Sequence, residues 1–237
     1  MFILIFLLSV CASFIQRVSG FGFGIFVMMF FPYILPSYGE STMLSGLLAG
    51  STALIISIRN WRYICWGPVL KLLLFNLVAS FIAIRYMSTL DHFTLKKCFG
   101  VMFIVLALYS LFCNGRIAFI KNRWSAPILG LLSGVMGGMF AMPGPPIVLY
   151  CIERIEEKRC YITTLQAFSV ILNIFYTVFR WDAGFFGDMI LQWWCIGLCG
   201  VVIGSWAGKY LFERIDGSYV KKIVYLLLLV SGVTSLF

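Results

Sequence analysis

The residues best suited to chemistry in this chain are glycines and prolines set into apolar sequence. Ser19-Gly20-Phe21-Gly22-Phe23-Gly24 carries three glycines at alternate positions, and Met142-Pro143-Gly144-Pro145-Pro146 follows the pair Gly137-Gly138. A glycine weakens a helix by about 1 kcal/mol relative to alanine, and a proline removes a backbone donor and fixes φ. Both stretches therefore predict an interrupted helix. At such a break the freed N–H and C=O groups become available, glycine lets a ligand approach them, and the resumed helix turns a positive dipole end toward an anion. Arg17 sits at the edge of the first break. It offers an oxyanion a bidentate fork, with snorkelling to an interface as the competing reading. These features make Arg17, Gly20, Gly22, Gly24, Gly137, Gly138, Pro143, Gly144 and Pro145 the candidate substrate-binding residues.

Conventional catalytic constellations are missing from the sequence. Gly130-Leu131-Leu132-Ser133-Gly134 is GxxSG, not the GxSxG of a nucleophile elbow, and no histidine is available as its base, His92 standing alone in a loop. Glu40, Asp91, Asp182, Asp188 and Asp216 all fall near the ends of apolar stretches, so no paired carboxylates are expected in mid-span. The eight cysteines are scattered, without a CxxC or a Cys/His pair at zinc spacing. The expectation is no catalytic site, no metal and no cofactor. Gln16, Asn76, Asn173, Thr163, Thr164 and Gln166 are polar residues in or near apolar spans, where hydrogen bonding between helices competes with lining a site.

The elements that must position these residues follow from composition. Of the 237 residues 62% are hydrophobic and 11% charged, against about 25% charged in an ordinary soluble domain. The fold class is therefore an all-α polytopic membrane protein. With about 20 apolar residues per crossing, the length gives about eight transmembrane helices. The predicted spans are a broken first element over Phe2–Leu35, then Ser41–Ile58, Gly67–Ile84 and Phe93–Cys113. A second broken element from Ala126 to Ile152 precedes Tyr161–Phe179, Met189–Gly208 and Tyr219–Phe237. Gly200, Gly204 and Gly208 have GxxxG spacing in an uninterrupted run, which predicts close helix packing. The start of the chain lacks the basic region of a signal peptide, so Met1 onward is expected to be retained. The net charge of +9 is expected to set orientation through the loops, with no nucleic-acid partner.

Internal repetition divides the chain into two four-helix repeats, each opening with a broken Gly/Pro-rich element: residues 1–113 and 125–237, joined by a central loop at 114–124. At an offset of 125 residues, Lys96-Lys97 falls on Lys221-Lys222 and Ser110-Leu111-Phe112 on Ser235-Leu236-Phe237. If each broken element crosses once, the repeats have an even number of crossings and run parallel. Ten Lys and Arg, among them Arg85, Lys96, Lys97, Arg154 and Lys209, then share one face. Seven, among them Arg59, Arg62, Lys71 and Arg180, share the other. The positive-inside rule makes the first face cytoplasmic and both termini external.

Gln16-Arg17-Val18-Ser19-Gly20-Phe21-Gly22-Phe23-Gly24, with Pro32 downstream, resembles the first-repeat signature of the sulfite exporter TauE/SafE family of membrane permeases. Gly130–Gly138 followed by Pro143-Gly144-Pro145-Pro146-Ile147-Val148-Leu149-Tyr150 is similar to its second-repeat signature. Met142-Pro143 stands where the family more often has further glycine. The resemblance implies a secondary transporter in the cell membrane for small sulfur-containing anions such as sulfite or organosulfonates. It also favours Thr163 and Thr164 as site residues, because the family places polar residues after the second break. The alternatives are another small anion or organic solute on the same scaffold, or a non-transporting assembly partner. The implied partners are a small anionic substrate and the lipid bilayer, with oligomeric state left open.

Overall fold

The computed structural model describes residues 1–58, 60–91, 124–211 and, between these stretches, residues 94, 95, 97, 98, 100–102 and 104. The expected span Phe93–Cys113 (apart from those few positions), the loop Asn114–Arg123 and the span Tyr219–Phe237 lie outside them, and so does the lysine-pair repeat. Among the described residues the chain is helical, without strands: α1 Phe2–Ser19, α2 Phe23–Met28, α3 Phe31–Ile34, α4 Tyr38–Ile58, α5 Trp66–Met87, α6 Ser125–Phe140, α7 Gly144–Arg154, α8 Lys158–Asp182 and α9 Ile190–Leu211. Four stretches are long and apolar enough to cross a membrane: Tyr38–Ile58, Val69–Met87, Cys160–Asp182 and Ile190–Tyr210. Phe2–Val18, Phe23–Ile34 and Ser125–Phe140 are shorter apolar helices.

Pair contacts give the relative directions of the longer helices among the described residues. Gly39 meets Phe185, Gly46 meets Arg180 and Gly50 meets Asn173, so α4 runs antiparallel to α8. Asn76 bonds Tyr176, the Phe81 ring packs on Phe179 and Arg85 pairs with Asp182, so α5 runs parallel to α8. The turn Ala183–Met189 is compact, with Phe185 N–H bonded to the Arg180 carbonyl and Ile190 N–H to that of Gly187. Thus α9 starts where α8 ends and runs back.

Both broken elements are hairpins. The α1 backbone at Phe6, Val10 and Phe14 lies against Gly200, Gly204 and Gly208 in parallel. Gly24 of α2 meets Ser45 of α4, and α3 leads directly into the start of α4. So α1 descends and α2–α3 climb back. In the second element, Ser133 Oγ donates to the carbonyl of Pro143 at 2.7 Å, which places a residue beyond the break back beside the helix before it. This corrects the expectation that each broken element crosses once. It also overturns the face assignment built on that count, because Arg85 and the end of α8 meet on one face.

Close packing follows the glycine stripes. Gly130, Gly134 and Gly138 of α6 lie on the backbone of α5 at Leu72, Asn76 and Ser80, while Gly200–Gly204–Gly208 of α9 lie on α1. Small residues let backbones approach where lipid gives no hydrophobic drive for association. Leu70, Leu74, Val78, Ile82, Leu191, Val202 and Ile203 point outward, as a lipid-facing surface requires. Trp61, Tyr63, Trp66, Trp206 and Tyr210 form an aromatic belt at one end, and Tyr86 and Trp181 lie at the other.

Candidate substrate site at two helix breaks

The first break is fixed by two left-handed residues. Gly20 (φ 83°) closes α1 and Gly22 (φ 106°) opens α2, a conformation that side-chain-bearing residues rarely adopt. Two glutamines pin it. Gln166 Nε2 donates to the Gly20 carbonyl at 2.7 Å, and Gln16 Nε2 donates to Gln166 Oε1 at 2.9 Å. Opening α2 afresh leaves the N–H groups of Phe23, Gly24 and Ile25 without intrahelical partners.

The second break turns at Ala141, whose φ of 56° makes it the one non-glycine residue with positive φ among those described. A polar chain holds the returning strand of backbone. Tyr176 OH donates to Asn76 Oδ1 at 2.8 Å, Asn76 Nδ2 to Ser133 Oγ at 2.8 Å, and Ser133 Oγ to the Pro143 carbonyl at 2.7 Å. Pro145 and Pro146 have no N–H, so Gly144 supplies the one donor left in the opening turn of α7. The proline-rich sequence that makes the break thus strips most of the donors expected at that helix end.

The two breaks touch. A methyl group on Gly24 would overlap the Ala141 carbonyl oxygen, and one on Gly144 would lie 3.5 Å from the Phe21 side chain. Between them lies a cavity of about 60 Å³. At about 10–15 Å³ per enclosed water, it holds about four waters or one small oxyanion. Its walls are Gln16, residues 20–25 and 141–144, Ala49, Ile147, Val148, Leu165, Phe168, Ser169 and Asn173. None of these bears a charge.

Of the residues expected at a site, the structure brings Gly20, Gly22, Gly24, Pro143 and Gly144 to this cavity. Arg17, Gly137, Gly138, Pro145 and Thr163 do not line it. The Arg17 stem packs on Gly208 of α9, where an added methyl would come within 2.8 Å of its Cβ. Gly137 faces the Tyr176 ring, and Gly138 faces Ala83 and the Ser80 backbone. Thr163 is buried on α8, and the neighbouring Thr164 Oγ1 accepts the Cys65 N–H at 2.9 Å.

Arg180 is the residue sequence reasoning misplaced, as a loop cation. It is 0% exposed, inside the bundle. Its Nη2 donates to the carbonyls of Gly137 at 2.7 Å and Gly138 at 3.2 Å, and its guanidinium lies 5.4 Å from the Tyr176 ring centre. A signal for it exists in the sequence. Gln166, Ser169, Asn173, Tyr176 and Arg180 recur at three- and four-residue steps, one polar stripe along the inner face of α8.

Apolar spans packed around two broken helices that meet at a small cavity define a multi-pass membrane protein of the carrier class. The chain matches the family described as Sulfite exporter TauE/SafE over residues 5–235, and it belongs to that family. The family is one of membrane transport permeases, not enzymes. No curated protein and no solved structure matches the chain.

Proposed function

We propose that the protein is a secondary transporter, working as an exporter in the cell membrane, for small sulfur-containing anions such as sulfite. The substrate binds between the two helix breaks, against the backbone of Gly20–Gly24, Pro143 and Gly144. The observation that carries this reading is the meeting of the breaks in one small cavity. The N–H groups of Phe23, Gly24, Ile25 and Gly144 are suited to oxyanion oxygens. The cavity's size favours compact anions over bulky organosulfonates.

The full fold proposed is two repeats, each opening with one of the broken elements. The antiparallel α4 and α8 support halves of inverted topology, and so does the exchange of partners, α1 with α9 and α6 with α5. An odd number of passes per half gives that relation. Arg17, Arg62, Lys71, Arg154 and Lys209 then share one face, against Arg85 and Lys97 at the other, which makes the first face cytoplasmic. An anion leaving a negative interior gains about 2.3 kcal/mol per charge per 100 mV, enough to drive export without a coupled ion.

The test is flux in proteoliposomes. Purified protein should move radiolabelled sulfite, faster when a potassium diffusion potential makes the sulfite-loaded lumen negative. Sulfite flux no greater than in empty liposomes sinks the reading, and flux indifferent to the potential sinks the driving force.

A further inference from the structure

The two glutamines at the first break leave one polar atom over, and their hydrogen bonds determine which. The Gly20 carbonyl can only accept, so Gln166 must present Nε2 to it. The other end of that amide, Oε1, can only accept in turn, so Gln16 must present its own Nε2 there. Both amide orientations are thereby dictated, and Gln16 Oε1 is left buried without a partner among the described residues. Gln16 is 4% exposed and forms part of the wall of the cavity between the breaks.

Around it the described wall is uncharged, and Phe21, Phe23, Ile147, Leu165 and Phe168 make much of it apolar. The cost of taking an ion out of water rises with the square of its charge, so such a wall suits a monoanion better than a dianion. Gln16 Oε1 adds a second demand. An occupant filling the cavity must donate a hydrogen bond to that oxygen or leave it stranded, its lone pairs turned on a negative charge. Sulfite is a dianion with acceptors only and meets neither condition. Hydrogensulfite, its singly protonated form, carries one negative charge and, on oxygen, one hydroxyl donor.

We propose that the cavity selects a protonated monoanion. Hydrogensulfite is the form bound, its hydroxyl donating to Gln16 Oε1 while its other oxygens face the backbone N–H groups at the breaks. This assignment rests on the transport reading above and names the ionic form that the site takes. The relay from Gln16 through Gln166 to Gly20 holds the acceptor in place before the anion arrives. Gln16 is thus a specificity-determining residue as well as a support of the turn.

The experiment measures radiolabelled sulfite flux into proteoliposomes, with equal pH on both sides, from one unit below to one unit above the second pKa of sulfurous acid. No described residue of the wall titrates near neutral pH, so the profile reads the ligand. The hydrogensulfite fraction falls about tenfold over that range, so the KM for total sulfite should rise about tenfold while the KM expressed as hydrogensulfite stays constant. A KM for total sulfite that stays level or falls as pH rises overturns the proposal and leaves the transport reading standing. Chlorate separates charge from hydrogen bonding, being a pyramidal monoanion isoelectronic with sulfite but without a hydrogen. It should compete about tenfold more weakly than hydrogensulfite, and Gln16→Leu should erase that difference by weakening hydrogensulfite alone. Chlorate competing as well as hydrogensulfite in the parent overturns the role of Gln16, and that comparison decides alone if Gln16→Leu fails to fold. A parent that neither moves sulfite at any pH nor is thermally stabilised by it takes both readings down.

Discussion

The carbonyl oxygen of Ala141 lies directly against the Cα of Gly24, so the turn of one broken helix is seated on the first turn after the other. No side chain fits between them. Replacing Gly24 with alanine forces the two breaks apart, an overpacking cost of about 1–3 kcal/mol, and should lower sulfite flux at least tenfold. Gly67, whose added methyl would meet nothing within 4 Å, is the matched control. Gly67→Ala should transport as the parent does, and equal flux from both variants would refute the contact's role.

The chain Tyr176–Asn76–Ser133–Pro143 predicts a graded series. Tyr176→Phe removes one terminal donor and should cost about 1 kcal/mol, whereas Ser133→Ala strands the buried Asn76 and the half-buried Pro143 carbonyl together and should cost about 1–3 kcal/mol. Melting temperatures of the purified variants check the order. Tyr176→Phe at or below Ser133→Ala in stability contradicts it.

Gln166 supports the first break through the Gly20 carbonyl. Gln166→Leu keeps the volume but leaves that carbonyl and Gln16 without their partner. Sulfite flux should drop severalfold while the protein still elutes as a monodisperse peak. Flux at the parent level would show that the cavity wall holds without the glutamines.

The hairpin reading places Arg85 and Asp182 on the outer face and Arg62 on the inner one. On intact cells, a membrane-impermeant maleimide should label Ser88→Cys strongly and Arg62→Cys at the level of the native cysteines. Labelling of Arg62→Cys alone from outside reverses the orientation. Labelling of Arg85→Cys and Asp182→Cys from opposite faces dismantles the hairpins.

How far the sequence reached depends on the scale of each signal. The helix breaks at Gly20–Gly22 and Ala141–Pro143 were legible, because glycine and proline act on the backbone within a few residues. The spans α4, α5, α8 and α9 were legible from apolar length. Direction was not, since whether a broken element continues or doubles back depends on Ser133 reaching Pro143 and on α1 docking on α9. Those contacts join residues distant in sequence or separated by a reversal. Single crossings put Arg85 and Arg180 on opposite faces, whereas Arg85 meets Asp182 at the end of the helix that carries Arg180. Arg180 went unread because charge at the end of an apolar stretch usually marks a loop, although the polar stripe from Gln166 already pointed inward. Arg17 drew attention by adjacency to the break, yet its stem faces α9.

The two glycine stripes also fix what can move. Along α5–α6 and α1–α9 the backbones touch, leaving no side-chain layer to shear, so each pair travels as one stiff body. Each pair takes one helix from either half of the chain and carries one of the two breaks. The joint between these bodies is the α4–α8 seam, where Gly46 faces Arg180 and Asn173. Ala49 of α4 and Ser169 and Asn173 of α8 line the cavity from that seam, so any change in its angle alters the cavity wall.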